Sequence, residues 1–341
     1  MNILGLDFGT SLIKAVELKS DKSKSELISI AKASSKDIKL MSSSKEDMER
    51  SINFLTDFVM QNNFLGKSVN ISVPQTLIYT TILKFPSLKD KELENAIKLQ
   101  MEGLSPIPLE EASQTYQILP KYNEVEGTSV LVVVAPKSLT KKILDIATES
   151  GLRVNALEPE ALAVSRSLLS EDSEEPTTLI VDIGHKSTNI SIYSDFSIRF
   201  IRTLSTGFSA FVKSASQELS LESVQAEEYV KTYGFLSDKL EGKLKNATMP
   251  ILSIILDEVK RAIAYYEKEN PNSLVRRIIL TGGGALVPGI IVNAANFLSV
   301  EVQIANPWNT ITSLGKYKDR MSELESFAPL YSVALGLALK K

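Results

Sequence analysis

The sequence predicts an α/β protein built of two related half-domains that face each other across a cleft, with a smaller unit inserted in the first. Three observations predict this. Leu4 to Leu18 reads as two apolar strands around a polar turn, in which Gly9, Thr10 and Ser11 can offer backbone N–H groups and hydroxyls to an anion. Leu179 to Ile192 repeats the plan as apolar strand, Asp182-Ile183-Gly184, short polar turn and apolar strand, and a repeated unit implies two related halves. Finally, the apolar run Val275 to Thr281 leads straight into Gly282-Gly283-Gly284, a strand end at which a ligand can lie against bare backbone. Either Asp-x-Gly turn alone is equally compatible with an ordinary hairpin. Their duplication makes coincidence a poor explanation.

Along the first half, Glu26 to Ala33 continues the hairpin as a third strand. Lys45 to Phe64 sets Met48, Ile52, Leu55 and Val59 at helical spacing, and Val69 to Val73 alternates like a strand. From Leu77 to about Asn155 the pattern becomes a compact unit: strand (78–85), helix (90–103), two strands (113–119 and 129–135) and helix (139–150). Leu93, Ile97 and Met101 share one helix face there, as core packing alone would explain. Val154 to Leu157 returns to the main body, and Glu158-Pro159-Glu160 opens the next helix, where proline is well tolerated. The polar stretch Ser170 to Thr177 is the expected boundary between halves. Beyond the second hairpin a strand is expected at 197–204 and helices at 207–219, 222–233, 249–269 and about 288–298. The apolar segment Pro329 to Leu339 reads as a buried helix. The expected division is 1–76, completed by 155–172 and 320–341, for the first half; 77–154 for the insert; and 173–319 for the second half, with a helical part at about 207–270.

Composition narrows the function classes. At 341 residues, with 43% hydrophobic and 23% charged residues, the chain is an ordinary globular sequence of two or three domains. A net charge of -3 gives no electrostatic case for nucleic acid as a partner. With no cysteine, disulfides, zinc-thiolate sites and thiol nucleophiles are excluded, and a lone histidine, His185, leaves little room for a triad or a histidine metal site. The first apolar stretch is short, carries Asp7 and lacks a basic leader, so no secretory signal is expected. No apolar run approaches the ~20 residues of a spanning helix, so direct membrane insertion is not expected either.

A nucleotide site on such a scaffold needs two phosphate-binding hairpins and an acidic residue from each to hold hydrated magnesium. Asp7 and Asp182 stand at the strand ends that this design requires, and the triple glycine supplies a nucleoside border. In Ala226 to Lys231, Glu228 and Lys231 lie three apart on a helix face, where they read either as a ribose and purine bracket or as a surface ion pair.

These residues resemble the actin/Hsp70/sugar-kinase superfamily, whose duplicated fold is ribonuclease H-like. The resemblance is closer to one branch, the PilM family of type IV pilus assembly, itself similar to the FtsA cell-division proteins. It is carried by Gly5 to Val16, Pro106-Ile107-Pro108-Leu109-Glu110-Glu111, Leu157-Glu158-Pro159, Val181 to Gly184, Ile279 to Gly284, Asn306-Pro307-Trp308 and Ala334 to Ala338, and so covers the whole chain. The Pro-x-Pro-Leu-Glu-Glu segment is the most specific, because sugar kinases and Hsp70 lack it.

The resemblance implies an inserted SHS2-type subdomain and ATP or ADP with Mg2+ in the cleft. Gly9, Thr10, Ser11 and Lys14 would hold the β- and γ-phosphates, with Gly184 and Thr188 opposite. Gly282, Gly283 and Gly284 would border the nucleoside, Glu228 and Lys231 its ribose and base, and Asp7 and Asp182 the metal. Glu158 reads either as the residue that positions attacking water or as a carboxylate favoured by a helix start. His185 stands where actin has another acidic residue, so binding with slow turnover is expected. The implied partner is the N-terminal cytoplasmic tail of a PilN-like bitopic membrane protein, docked between the first half and the insert with Leu77 to Phe85 and the 90–103 helix as walls. That partner would place the protein in the cytoplasm, peripheral to the inner membrane. Pilus motor ATPases and self-association are further candidates. An FtsA-like scaffold would be expected to carry a C-terminal amphipathic helix, and a sugar or acyl kinase a carboxylate base with a polar sugar pocket. Neither pattern is evident.

Overall fold

The first hairpin opens the first of two five-stranded sheets in this computed structural model, which describes residues 2–21, 24–120, 127–169 and 175–340. β1 (Asn2–Phe8) and β2 (Leu12–Asp21) pair antiparallel with Asp7 opposite Lys14, and β3 (Lys24–Ser34) extends them. α1 (Lys45–Gln61) starts where the Ser44 hydroxyl accepts the Asp47 N–H, and it buries Leu55 and Phe58. β4 (Ser68–Val73), buried at every position, returns parallel to β1.

The inserted unit follows: β5 (Tyr79–Phe85), α2 (Asp90–Leu104), β6 (Ala112–Ile118) and β7 (Thr128–Pro136), in a sheet of order β5-β7-β6. α2 lays Leu93, Ile97 and Met101 on that sheet, against Leu83, Val130, Val132 and Val134. α3 (Lys137–Glu149) leads to β8 (Arg153–Pro159), which pairs parallel with β4 and completes the order β3-β2-β1-β4-β8. α4 (Glu160–Leu168) leaves the end of β8.

The second half repeats the first strand for strand. β9 (Thr178–Ile183), β10 (Thr188–Ser194) and β11 (Ser197–Leu204) form its antiparallel part. α5 (Phe208–Leu219), α6 (Ser223–Thr232) and α7 (Lys243–Glu269) then precede β12 (Arg277–Thr281). α8 (Ile290–Leu298) and β13 (Glu301–Ile304) close the sheet in the order β11-β10-β9-β12-β13. In both sheets the first strand pairs antiparallel with the second and parallel with the fourth. The duplication read from two hairpins therefore extends to whole sheets.

α9 (Met321–Ser326) and α10 (Ser332–Leu339) end the described chain. α10 is apolar all round because it is enclosed: Val333 and Leu337 share a core with Ala163 and Val164 of α4, Ile180 of β9 and Ile279 of β12. Two glycines permit the approach. A Cβ on Gly5 would stand 2.0 Å from the Ala334 carbonyl oxygen, and one on Gly336 would stand 1.7 Å from that of Ala163. α4 and α10 thus tie both sheets together beneath the cleft.

Two expectations change, and a third falls partly outside the described residues. The sequence assigns 139–150 to the insert, but α3 buries Leu139, Ile143, Ile146 and Ala147 in the core of the first sheet, beside Leu55 and Phe58. Its apolar stripe announced burial and could not say against which sheet. α7 begins at Lys243 rather than 249 and carries Pro250 inside, losing one helical hydrogen bond. The boundary expected at 170–177 lies partly outside the described residues, at 170–174.

Candidate functional site

The two hairpins face each other across a cleft of about 570 Å3. On the first side Asp7, next to last in β1, is buried, and the turn Gly9-Thr10-Ser11 opens onto the cavity. Asp7 Oδ2 lies 2.5 Å from Lys14 Nζ, and Asp7 Oδ1 accepts the Ser72 hydroxyl at 2.8 Å. The cross-strand register of the hairpin puts Lys14 there, since residues 7 and 14 are direct partners. Burial by itself would lower the Lys14 ammonium, but Asp7, aided by Asp182 and Glu160, more than reverses this and holds it above its ordinary value. A permanently charged lysine beside N–H-rich turn backbone is suited to phosphate oxygens.

On the second side Asp182 stands near the end of β9 and Gly184 just after it, with Ser187 and Asn189 across the turn. Burial raises the Asp182 carboxyl to about 6, with Lys14 and Asn189 opposing and Asp7 adding to the rise. Gly282 passes so close that a Cβ would stand 2.4 Å from Asp182 Oδ1, and its φ of +79° is in the left-handed region that favours glycine. The strand-to-glycine signal is therefore explained by contact with the acidic residue as well as by the space left for a ligand. Gly283 also borders the cleft.

Between the sides sits Glu160, the first residue of α4. Its Oε2 accepts the Asn189 side-chain amide at 3.0 Å and the Gln75 N–H at 3.3 Å, so it is held from both halves. Asn189 is itself fixed by the Thr203 hydroxyl at 2.9 Å. Burial, then the charges of Asp7 and Asp182, push the Glu160 carboxyl up to about 8. A carboxyl so placed can orient water once a cation neutralises its acidic neighbours.

Four residues expected at the cleft do not line it. Glu158 is buried on the other side of the β8 end, paired bidentately with Arg166 (2.6 and 3.0 Å) and with Lys340 at 3.4 Å. At the turn from β8 into α4, two positions in sequence carry the chain from that ion-pair network to the cleft, and Glu160 takes the place expected of Glu158. Thr188 is fully buried, its hydroxyl donated to the Thr206 carbonyl at 2.7 Å. Gly284 faces Ile183 at van der Waals distance, where a Cβ would stand 2.2 Å from Ile183 Cγ2. On α6 it is Glu227 rather than Glu228 that lines the cavity, and it pairs with Lys231 at 2.5 Å, a spacing of i,i+4. Lys231 lies 5.9 Å from the Phe208 ring centroid, so an aromatic and a cation border the same end of the cleft.

Sequence reasoning missed Gln75, Asn189 and Glu227. Asn189 alone left a signal, as a polar residue facing inward on the second hairpin. His185, on the turn, is held below its ordinary value by burial, with Lys186 and Lys231 reinforcing and Glu227 opposing. Among the described residues no cluster of three or more acidic or histidine side chains forms a metal cage. Asp7 and Asp182 on opposite hairpins suit a hydrated cation carried in by phosphates instead.

A family model described as type IV pilus assembly protein PilM matches residues 5–341. The chain belongs to the PilM family. Its sheets also superpose on those of a solved PilM-PilN type IV pilus biogenesis complex (TM-score 0.84, 22% identity, 99% of this chain and 97% of that one). A more distant likeness is to MreB5 of Spiroplasma citri bound to ADP (TM-score 0.54, 15% identity, 98% and 94%). At these identities the likenesses establish an actin-like fold. Among curated relatives, the cell division protein FtsA of Neisseria meningitidis serogroup B is 23% identical over 236 residues, 62% of this PilM-family chain and 53% of the relative. The chain thus spans about half the length of that relative. No described helix is long and apolar enough to cross a membrane.

Proposed function

We propose that this PilM-family protein binds ATP or ADP between its two hairpins and, in the nucleotide-ordered state, docks the cytoplasmic tail of a PilN-like bitopic membrane protein at the pilus assembly platform. The observation that carries the nucleotide part is the convergence of Asp7, Lys14, Asp182 and Glu160 from two duplicated sheets on one cavity of about 570 Å3. Gly9, Thr10, Ser11 and Lys14 hold the β- and γ-phosphates, with Gly184 opposite. Asp7 and Asp182 would hold Mg2+, which would neutralise charge on the phosphates. Gly282 and Gly283 border the nucleoside, and Lys231 with Phe208 its base. The likeness to an ADP-bound MreB5 supports the same reading.

Turnover is slow in this reading, because the second hairpin carries His185 where an extra carboxylate would stand and the Glu160 carboxyl, raised to about 8, holds its proton at neutral pH. Equilibrium titration with ATP and Mg2+ should show saturable binding, while a hydrolysis rate of about 1 per second or faster would sink the slow-turnover part.

The partner part rests on the fold shared with a PilM-PilN complex. The tail docks where the insert meets the first half, around Leu77 and Ile78, which pack against the first core. The walls expected from sequence need revision: α2 covers the insert's own sheet, and the free edge of β5 turns toward β11. Such docking brings the protein to the inner membrane from the cytoplasm. Motor ATPases and further copies of this chain remain candidate partners on its outer faces. A synthetic N-terminal tail of the neighbouring membrane protein should bind the whole chain, and failure of that peptide to bind in the presence of ATP would sink the docking part.

A further inference from the structure

A second groove, sharing no lining residue with the nucleotide cleft, separates the insert from the second half. β5 is an edge strand of the insert and β11 an edge strand of the second sheet, and the two run side by side over α7. The space between them measures about 590 Å3. Phe200 and Tyr265, with ring centroids 5.8 Å apart, form an apolar shelf along it.

The charge of the groove is unbalanced. Lys84, Arg199, Arg202 and Arg261 line it, against Glu269 at the rim and Glu258 behind. Glu258 serves two guanidinium groups, with Oε1 2.6 Å from Arg202 Nε and Oε2 accepting Arg261 Nε at 2.8 Å. Glu269 reaches Lys84 only at 3.7 Å. Arg199 donates through Nε to the Ser194 carbonyl at 3.4 Å, while its Nη2 is buried with no hydrogen-bond partner. An orphan donor on a charged group is costly, and a carboxylate arriving in the groove would satisfy it.

We propose that this groove receives an extended acidic peptide from another protein, its apolar side chains on the Phe200 and Tyr265 shelf and one of its carboxylates on Arg199. Successive side chains of such a peptide point to opposite faces, so apolar residues meet the Phe200 and Tyr265 shelf while acidic ones meet the arginines. The excess of cations selects an acidic strand over a basic one.

The probe is a blocked seven-residue peptide alternating valine and glutamate, titrated against the full chain, with the lysine-for-glutamate peptide and inorganic pyrophosphate as comparisons. The glutamate peptide should bind saturably at one copy per chain. Arg199→Gln and the exposed-site change Lys84→Glu should each weaken it about tenfold with ATP affinity unchanged. Lys84 is 64% exposed, so that variant keeps the test open should Arg199→Gln fold poorly. No binding of the glutamate peptide, or equal binding of the lysine peptide, would overturn the proposal. Pyrophosphate binding as tightly as the peptide would mark a small-anion pocket only, and would overturn it too.

Discussion

Glu158 and Glu160 lie two positions apart in different surroundings, one in an ion-pair network and one in the cleft, and substitution can separate them. Glu160→Gln keeps the hydrogen bond from Asn189 but removes the carboxylate, so single-turnover ATP hydrolysis should fall about 100-fold with ATP affinity little changed. Glu158→Gln instead strands Arg166 and Lys340, and should lower unfolding free energy by about 2–4 kcal/mol while leaving the cleft chemistry intact. Equal effects of the two changes on turnover would contradict the assignment. Glu160 also predicts a pH dependence. Its carboxyl is raised from 4.5 to about 8 in the folded chain, so between those values the native state holds a proton that the unfolded state has lost. Stability from this group is therefore full below about 4.5 and declines as pH rises through about 8. Glu160→Gln stays neutral throughout, and in nucleotide-free denaturant titrations above pH 8 it should exceed the parent by on the order of 1–3 kcal/mol. At the first turn, a Cβ on Gly9 would stand 2.7 Å from the Leu12 carbonyl oxygen and 3.2 Å from Lys14 Nζ. Gly9→Arg should thus abolish ATP binding in equilibrium titration.

At the scale of elements, the contact between α10 and α4 is the tightest in the molecule that a single atom can probe. With 1.7 Å available, a Cβ on Gly336 cannot be accommodated unless the helices separate, and overpacking of this kind costs about 3 kcal/mol. Gly336→Val should show that loss in denaturant unfolding. Since α4 carries Glu160 into the cleft and α10 lies beneath both sheets, ATP affinity should weaken alongside stability. A variant with unchanged melting would show that the two helices do not meet as described. The same elements explain why α10 is apolar on every face: it is covered by β1, β2, α4 and the second half's strands together.

For the whole molecule, the insert and the two halves make separable demands. Removing 79–136 with a short linker takes out β5, α2, β6 and β7 and should abolish binding of the partner tail while ATP binding survives. Removing 77–154, the boundary read from sequence, also deletes α3. Leu139, Ile143 and Ile146 each bury about 1.5–3 kcal/mol of apolar side chain in the first core, so that longer deletion should not yield a folded nucleotide binder. Circular dichroism and ATP titration of the two deletions distinguish the cases. If the 79–136 deletion binds the tail as well as the intact chain, the insert is not its docking site.

The sequence by itself determined the duplicated hairpins, the order of strands and most helices, the inserted strand-helix-strand-strand pattern and the family, because periodicity, turn chemistry and Asp-x-Gly spacing are local. It also brought Asp7, Gly9, Thr10, Ser11, Lys14, Asp182, Gly184, Lys231, Gly282 and Gly283 to the cleft, since each sits on a hairpin, a helix or a strand end whose direction local pattern sets. Tertiary structure alone decided the rest. Which of two nearby carboxylates turns into the cleft depends on where β8 ends and α4 begins, a matter of a fraction of a turn. Whether Glu227 or Glu228 faces the cavity depends on the rotation of α6 about its axis, which the packing of Ala226 and Val230 sets. The partner of α3's apolar stripe was invisible because burial leaves the same periodic signature whichever sheet supplies it. The basic groove between β5 and β11 brings together residues more than a hundred positions apart, and no local pattern announces such a meeting.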